Sequence, residues 1–418
     1  MIMSHGRLAR SCALILAPLL AGLTGCGNAA DRPLAVSPQD ASDHVSFGPA
    51  GKDGARVDPD EPLRITTQGS GRLTDVSVAD AAGRPLAGEM AADGSSWRST
   101  APLAAGARYT VEVRTERGDG TPGVRTHAFR TRPAEGDRLE VSFGPQEGTY
   151  GVGQPVTAEL SEEISDAAER TVVEEALTVR SRPRTEGAWH WVDDKLLHYR
   201  PKDYWPAHAT ITVESALDGV RIRKGLRGAP AETLRLRTGD RIEAVADIQA
   251  HTMTVRRNGE VLRTLPITTG KAGFRTRNGK KVILTRESFV RMRGTSIGIP
   301  AGSAESYDLP VYWATRLTWS GEYVHGAPWS AGSHGSANVS HGCTGLSSEN
   351  ARWFFELVRP GDIVEHINGY GEDMAPFGNG FGDWNLSWDA WREGSALEAA
   401  RTSGSAATGR SARLRPLL

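Results

Sequence analysis

From about residue 44 to residue 238 apolar and polar positions alternate with a period of two. Leu63-Arg64-Ile65-Thr66, Tyr109-Thr110-Val111-Glu112-Val113 and Phe129-Arg130-Thr131 show this in the first half. Val156-Thr157-Ala158-Glu159-Leu160, Ile211-Thr212-Val213-Glu214 and Leu234-Arg235-Leu236-Arg237 show it in the second. A strand sends successive side chains to opposite faces, so the spacing predicts antiparallel strands with one face buried. The segment Val45-Ser46-Phe47-Gly48-Pro49 recurs as Val141-Ser142-Phe143-Gly144-Pro145, which marks two consecutive modules.

The repeat spacing matches the size of an immunoglobulin-like sandwich, although the cysteine pair of antibody domains is missing. The modules are placed at 44–133 and 137–238. Arg132 to Gly136 reads as one linker and Thr238-Gly239-Asp240 as another. Beyond residue 240 the texture changes. Met253 to Leu262 is a hairpin signal, because Asn258-Gly259 can take the positive φ of a tight turn. Val282-Ile283-Leu284, Tyr323-Val324-His325 and Ile363-Val364 read as strands. One helix is predicted from about Glu349 to Val358. Ser347 or Ser348 caps it, Ala351, Phe354, Phe355 and Val358 form its apolar stripe, and Pro360-Gly361 stops it. This third unit spans 240–368. Trp384, Trp388 and Trp391 would share one face of a helix, so residues 369–394 are read as a segment docking onto the third unit. Residues 395–418, rich in Ser, Ala, Gly and Arg, read as a disordered tail.

The 418 residues are 39% hydrophobic and 24% charged, enough apolar material for packed cores. A net charge of -1 gives no reason to propose a nucleic-acid partner, because phosphate binding needs a concentrated basic face. The N-terminus sets the compartment. Arg7 and Arg10 precede an apolar run from Cys12 to Leu23, too short to span a bilayer and suited to a signal peptide. Leu23-Thr24-Gly25-Cys26 resembles a bacterial lipobox. That resemblance implies cleavage before Cys26, acyl chains on it, and an extracytoplasmic protein tied to the outer face of the plasma membrane by a tether over 27–43. Each buried methylene of such a chain adds roughly 0.8 kcal/mol of membrane affinity.

There are three cysteines, Cys12, Cys26 and Cys343. Loss of the first and acylation of the second leave one thiol and no intramolecular disulfide. Either Cys343 is a buried, inert small hydrophobe or it is a nucleophile. Its neighbourhood, His325-Gly326-Ala327-Pro328-Trp329 through Ser340-His341-Gly342-Cys343, holds three histidines among small residues. An imidazole within reach can take the thiol proton, and backbone N–H groups near Gly342 and Cys343 can face an oxyanion. Sequence proximity alone does not select among His325, His334 and His341 as the base. One cysteine with dispersed histidines is poor support for a metal, and no His-Glu-x-x-His is present.

Fourteen residues separate His325 from Ser340-His341-Gly342-Cys343. This stretch, with Thr268-Thr269-Gly270-Lys271-Ala272-Gly273-Phe274 upstream and Gly382-Asp383-Trp384-Asn385-Leu386 downstream, resembles the YkuD-type L,D-transpeptidase family. The order of modules is similar to the lipid-anchored members with two immunoglobulin-like domains. The fold class expected is therefore mainly β: two immunoglobulin-like sandwiches, a β-rich catalytic domain with a short helix, and a C-terminal docking segment. The resemblance implies that Cys343 is the nucleophile and His325 its base. It gives His341 the task of orienting the loop, Gly342 and Cys343 that of oxyanion donors, and Ser340 that of loop support. Tyr307, Met292, Ser320 and Trp329 would line the donor pocket. It further implies formation of 3→3 cross-links between peptidoglycan stem peptides, release of D-Ala, no cofactor, a monomeric protein and acylation by carbapenems. Hydrolysis of the intermediate would make the protein an L,D-carboxypeptidase. Two departures stand out: Gly345 where the family often has Asn, and Gly326 where it often has Ser. They lend support to an alternative, a weakly active or non-catalytic wall-binding lipoprotein.

Overall fold

The computed structural model describes residues 37–402. The signal segment, the Cys26 lipidation site and the end of the tail lie outside them. The first module is a sandwich. One sheet carries Arg72–Asp80, Arg108–Glu116 and Pro122–Thr131. The other carries Val45–Gly48, Arg64–Thr67, Ser96–Ser99 and Gly88–Met90. Alternation works as the pattern requires: Tyr109, Val111, Val113 and Thr115 point inward while their neighbours face water. With Leu63, Ile65, Trp97 and Phe129 they fill the core. The tether is shorter than its composition suggests. Gln39–Asp40 pairs in parallel with Gly123–Val124, and Ala41 is buried beneath it. An open sheet edge supplies backbone partners that composition cannot reveal.

The second module repeats the plan. Val141–Gly144 and Val45–Gly48, the two copies of the repeat, are each paired antiparallel with the next core strand, Val156–Leu160 and Arg64–Thr67 respectively. It adds a helix, Ala167–Ala176, whose first turn is capped by the Asp166 carboxylate accepting from Ala168 N and Glu169 N. Arg227 ties the modules together, donating to Leu103 O (3.1 Å) and to Asp60 (2.6 Å).

The third unit has two sheets. The five-stranded sheet runs Glu260–Pro266, Thr252–Arg257, Ile242–Asp247, Ile363–Ile367, Gly279–Val282. The four-stranded sheet runs Thr285–Arg293, Asp308–Arg316, Tyr323–Gly326, Thr344–Leu346. The hairpin turns at Asn258 (φ 51°) and Gly259 (φ 90°). The helix is Ser348–Leu357, with Ser347 Oγ accepting from Asn350 N; Ala351 and Phe354 are its buried residues, and Val358 is buried just beyond its end. Ile283 and Leu284 leave the sheet but stay buried.

The C-terminal segment does not dock on the third unit alone. Trp384 sits in a 3-10 turn, and the helix begins only at Trp388. All three rings gather around the Arg200 guanidinium of the second sandwich, 4.8, 5.5 and 4.6 Å from it. Trp391 Nε1 donates to Ala188 O, and Trp384 Nε1 to Gly153 O. The cation on a distant strand, which tryptophan spacing cannot disclose, decides the docking site. Asn385 faces the other way and exchanges hydrogen bonds with the Lys280 backbone, so the segment clamps sandwich to third unit. The tail is likewise ordered further than its composition suggests. Ala396–Thr402 is a helix held because Ser395 Oγ and Ala396 N donate to the buried Glu174 carboxylate. Around residues 238–240 the junction is tight, with Gly151 N donating to Pro360 O and Gly153 N to Gly361 O. A Cβ on Gly151 would lie 2.1 Å from Asp362 N.

Candidate active site

Tyr323–Gly326 and Thr344–Leu346 are neighbouring parallel strands, with His325 opposite Gly345. Cys343 immediately precedes this second strand, two positions before the residue opposite His325. Parallel pairing thus brings together two residues eighteen apart in the chain. His325 is buried, and its Nδ1 lies 2.8 Å from Gly326 O. A carbonyl can only accept, so Nδ1 carries the proton and Nε2 keeps its lone pair. The backbone of Gly326 does the orienting for which a serine side chain is missing. Burial pulls the His325 pKa down to about 4, keeping the ring neutral. The ring of Trp329, itself 51% exposed, stacks on it at 5.9 Å.

The partly buried Cys343 thiol donates to Gly321 O at 3.5 Å. Burial pushes its pKa up to about 12, against the opposing effect of the Tyr323 N–H. Thiol and imidazole therefore rest as a neutral pair, and the proton must move as the sulfur attacks.

Ser340 Oγ donates to Cys343 O (2.6 Å) and accepts from Gly342 N (3.1 Å), which pins the loop. This alters one expectation. The Gly342 amide is already engaged by Ser340, leaving the Cys343 N–H without a partner among the described residues as the available oxyanion donor. Gly342 has φ 118°, a conformation that side chains disfavour, and Thr276 Oγ1 donates to its carbonyl. His341 turns away from the sulfur and bonds Glu305 at 2.7 Å, between the rings of Phe274 and Tyr307. Glu305 also pairs with Lys271, so the segment leading to Tyr307 is tied across to the cysteine loop. Met292 packs in the apolar cluster that includes Cys343, Val311 and Tyr323. Ser320 stands on the exposed rim, bonded by Asn379 Nδ2 (2.9 Å) and Arg277 Nη1 (3.4 Å). His334 lies to one side, 3.3 Å from Ser330 Oγ. At Gly345 a Cβ would come 2.8 Å from Thr268 Cγ2 and 3.0 Å from Ala327 Cβ, so the room for an asparagine is already filled.

Glu305, Thr276 and the buried group Lys281, Glu322 and His366 lie outside the motifs read in the sequence. Thr276 follows the quoted Thr268–Phe274 stretch by two positions, which was the available signal. The others lie in no motif.

A thiol and an oriented neutral imidazole on adjacent strands, with an unclaimed amide beside the sulfur, define a cysteine acyltransferase. Residues 241–365 match the L,D-transpeptidase catalytic domain family and residues 54–221 the bacterial Ig domain family. The chain is 36% identical over 341 residues to L,D-transpeptidase 2 of Mycobacterium tuberculosis, covering 81% of this chain and 82% of that protein. It is 30% identical over 408 residues to L,D-transpeptidase 5 of the same organism, covering 94% and 87%. A solved structure of LD transpeptidase LdtMt1 in complex with imipenem is 39% identical, covers 56% of this chain and 100% of that chain, and superposes with a TM-score of 0.47. The chain belongs to the L,D-transpeptidase family and is an enzyme of that class.

Proposed function

We propose that this enzyme forms 3→3 cross-links in peptidoglycan from the outer face of the plasma membrane, anchored through acylated Cys26. The single observation that carries the reading is the tautomer of His325: Nδ1–H is committed to Gly326 O, which leaves the Nε2 lone pair unclaimed among the described residues, on the strand paired with the one that Cys343 leads into. In the first step Nε2 takes the thiol proton as sulfur attacks the carbonyl of the third residue of a tetrapeptide stem. The Cys343 N–H receives the developing oxyanion, worth roughly 3 kcal/mol. The C–N bond to D-Ala then breaks, the imidazolium returns its proton to the leaving amine, and a thioester remains. In the second step a side-chain amine of a neighbouring stem attacks the thioester, its proton passes to Nε2, and the thiol is regenerated as the new amide forms. Tyr307 and Met292 beside the sulfur and Trp329 over the His325 ring hold the donor stem, with Ser320 at its rim. Water in place of the amine gives L,D-carboxypeptidase activity. The two sandwiches act as spacers between membrane and wall, and the protein works as a monomer.

Incubation with a disaccharide-tetrapeptide, followed by mass spectrometry of the products, tests this. The expected result is loss of D-Ala with dimer formation, absent in Cys343→Ala. Loss of D-Ala without dimer would assign hydrolysis, and unchanged tetrapeptide would favour a wall-binding role.

A further inference from the structure

Beside the apolar cluster that holds Cys343 lies a buried charged group. Lys281 is completely buried, and Glu322, His366 and Thr344 are buried with it. The ammonium forms an ion pair with Glu322 Oε2 at 2.7 Å and donates to Arg277 O at 2.7 Å and to His366 Nδ1 at 3.3 Å. Since His366 Nδ1 accepts, its Nε2 carries the proton and donates to Thr344 Oγ1 at 2.8 Å. Thr344 directly follows the cysteine. The other Glu322 oxygen accepts from Arg277 N (3.1 Å) and Nη1 (3.0 Å). Burial holds His366 neutral; at the sulfur the Glu322 carboxylate opposes ionisation and the Lys281 ammonium favours it. Glu322 also sits between the two residues that touch the sulfur, Gly321 through its carbonyl and Tyr323 through its N–H. Burying ions costs more than burying apolar side chains of like size, so stability alone does not account for this group.

We infer that Lys281 is a positioning residue for the nucleophile: its buried ammonium favours the anionic sulfur formed when the thiol gives up its proton, and through His366 and Thr344 it fixes the loop that presents Cys343. The inference rests on Cys343 being the nucleophile. The titratable groups that act on the sulfur are Glu322, Lys281, Tyr307 and Tyr323, with His325 on the neighbouring strand and His341 on its own loop. Of these, Lys281 is the group whose charge favours the anionic sulfur, although burial lowers its own pKa and the Glu322 carboxylate opposes that lowering.

The test is the rate of iodoacetamide alkylation of Cys343 in the full chain from pH 6 to 11, read on the Cys343 peptide by mass spectrometry. Lys281→Met, close in size, should displace the profile upward by about one pH unit, or roughly tenfold slower labelling at a given pH below the midpoint. Lys281→Arg should restore it. If Lys281→Met does not fold, Lys281→Gln keeps a donor to Glu322 and gives the same readout. A profile that coincides with the parent's in the folded neutral variant, or a Lys281→Arg profile as displaced as that of Lys281→Met, would overturn the inference. Labelling needs no stem peptide. A displaced profile without cross-linking would sink the reaction and spare this role, and cross-linking with an undisplaced profile would do the reverse.

Discussion

Replacing Trp391 by alanine probes the clamp that joins the second sandwich to the catalytic unit. Trp391 is fully buried, its Nε1 donates to Ala188 O at 3.0 Å, and its carbonyl lies 2.8 Å from His190 Nδ1. Truncating a buried tryptophan costs about 3–5 kcal/mol, and its face on Arg200 adds up to about 2 kcal/mol. Arg200 is half of the problem left behind. Burial already draws its pKa down to about 10, and its Nε has no hydrogen-bond partner. With one of three aromatic faces gone, the guanidinium is poorly compensated and the segment from Ser387 to Thr402 loses its anchor. At about 2–4 °C per kcal/mol for a unit of this size, the melting temperature of the sandwich-plus-catalytic unit should fall by roughly 6–28 °C. Differential scanning calorimetry reads this directly, and the transition of the first sandwich should stay in place. A variant whose two transitions both match the parent's would refute the reasoning, because the tryptophan cluster would then be a surface ornament.

Three further outcomes follow from the site. His325 has its pKa lowered to about 4 by burial, so the unfolded chain binds the proton first and stability falls as pH drops from about 6.5 to about 4, by about 3 kcal/mol in full; urea titrations at pH 7 and pH 4.5 should show His325→Gln losing less than the parent over that interval by roughly this amount. Gly345→Asn, which restores the commoner family residue, should lower stability by about 1–3 kcal/mol through its contacts with Thr268 and Ala327, measured by urea unfolding, and should not raise turnover. Ser340→Ala removes a donor to Cys343 O and an acceptor for Gly342 N, so acylation by the tetrapeptide donor should slow about 5–30-fold, equivalent to about 1–2 kcal/mol, with near-parental melting.

The parts of the molecule legible in its sequence are those set by local rules. The hairpin at Asn258-Gly259, the capped helix after Ser347 and the alternation of Arg108–Glu116 each need only neighbours a few residues away. His325 and Cys343 were legible as a spaced pair, although only parallel pairing of their strands shows why that spacing works. What stayed hidden depends on distant partners. Trp384, Trp388 and Trp391 announced a docking surface, but Arg200 on another domain chose it. Gln39 and Ser395 looked like linker and tail until a sheet edge and a buried carboxylate claimed them. Lys281 is the extreme case, since a lysine in Lys280-Lys281-Val282 carries no sign that its ammonium will be enclosed.

The central claim is that the sulfur of Cys343 becomes acylated with help from the His325 ring. Intact-protein mass spectrometry during reaction with a tetrapeptide donor measures this most directly. The account predicts a transient mass increase equal to the donor minus D-Ala, mapped to the Cys343 peptide, absent in Cys343→Ala and strongly delayed in His325→Gln. A parent protein that releases D-Ala with no adduct at any time, or an adduct mapped to another residue, would contradict it.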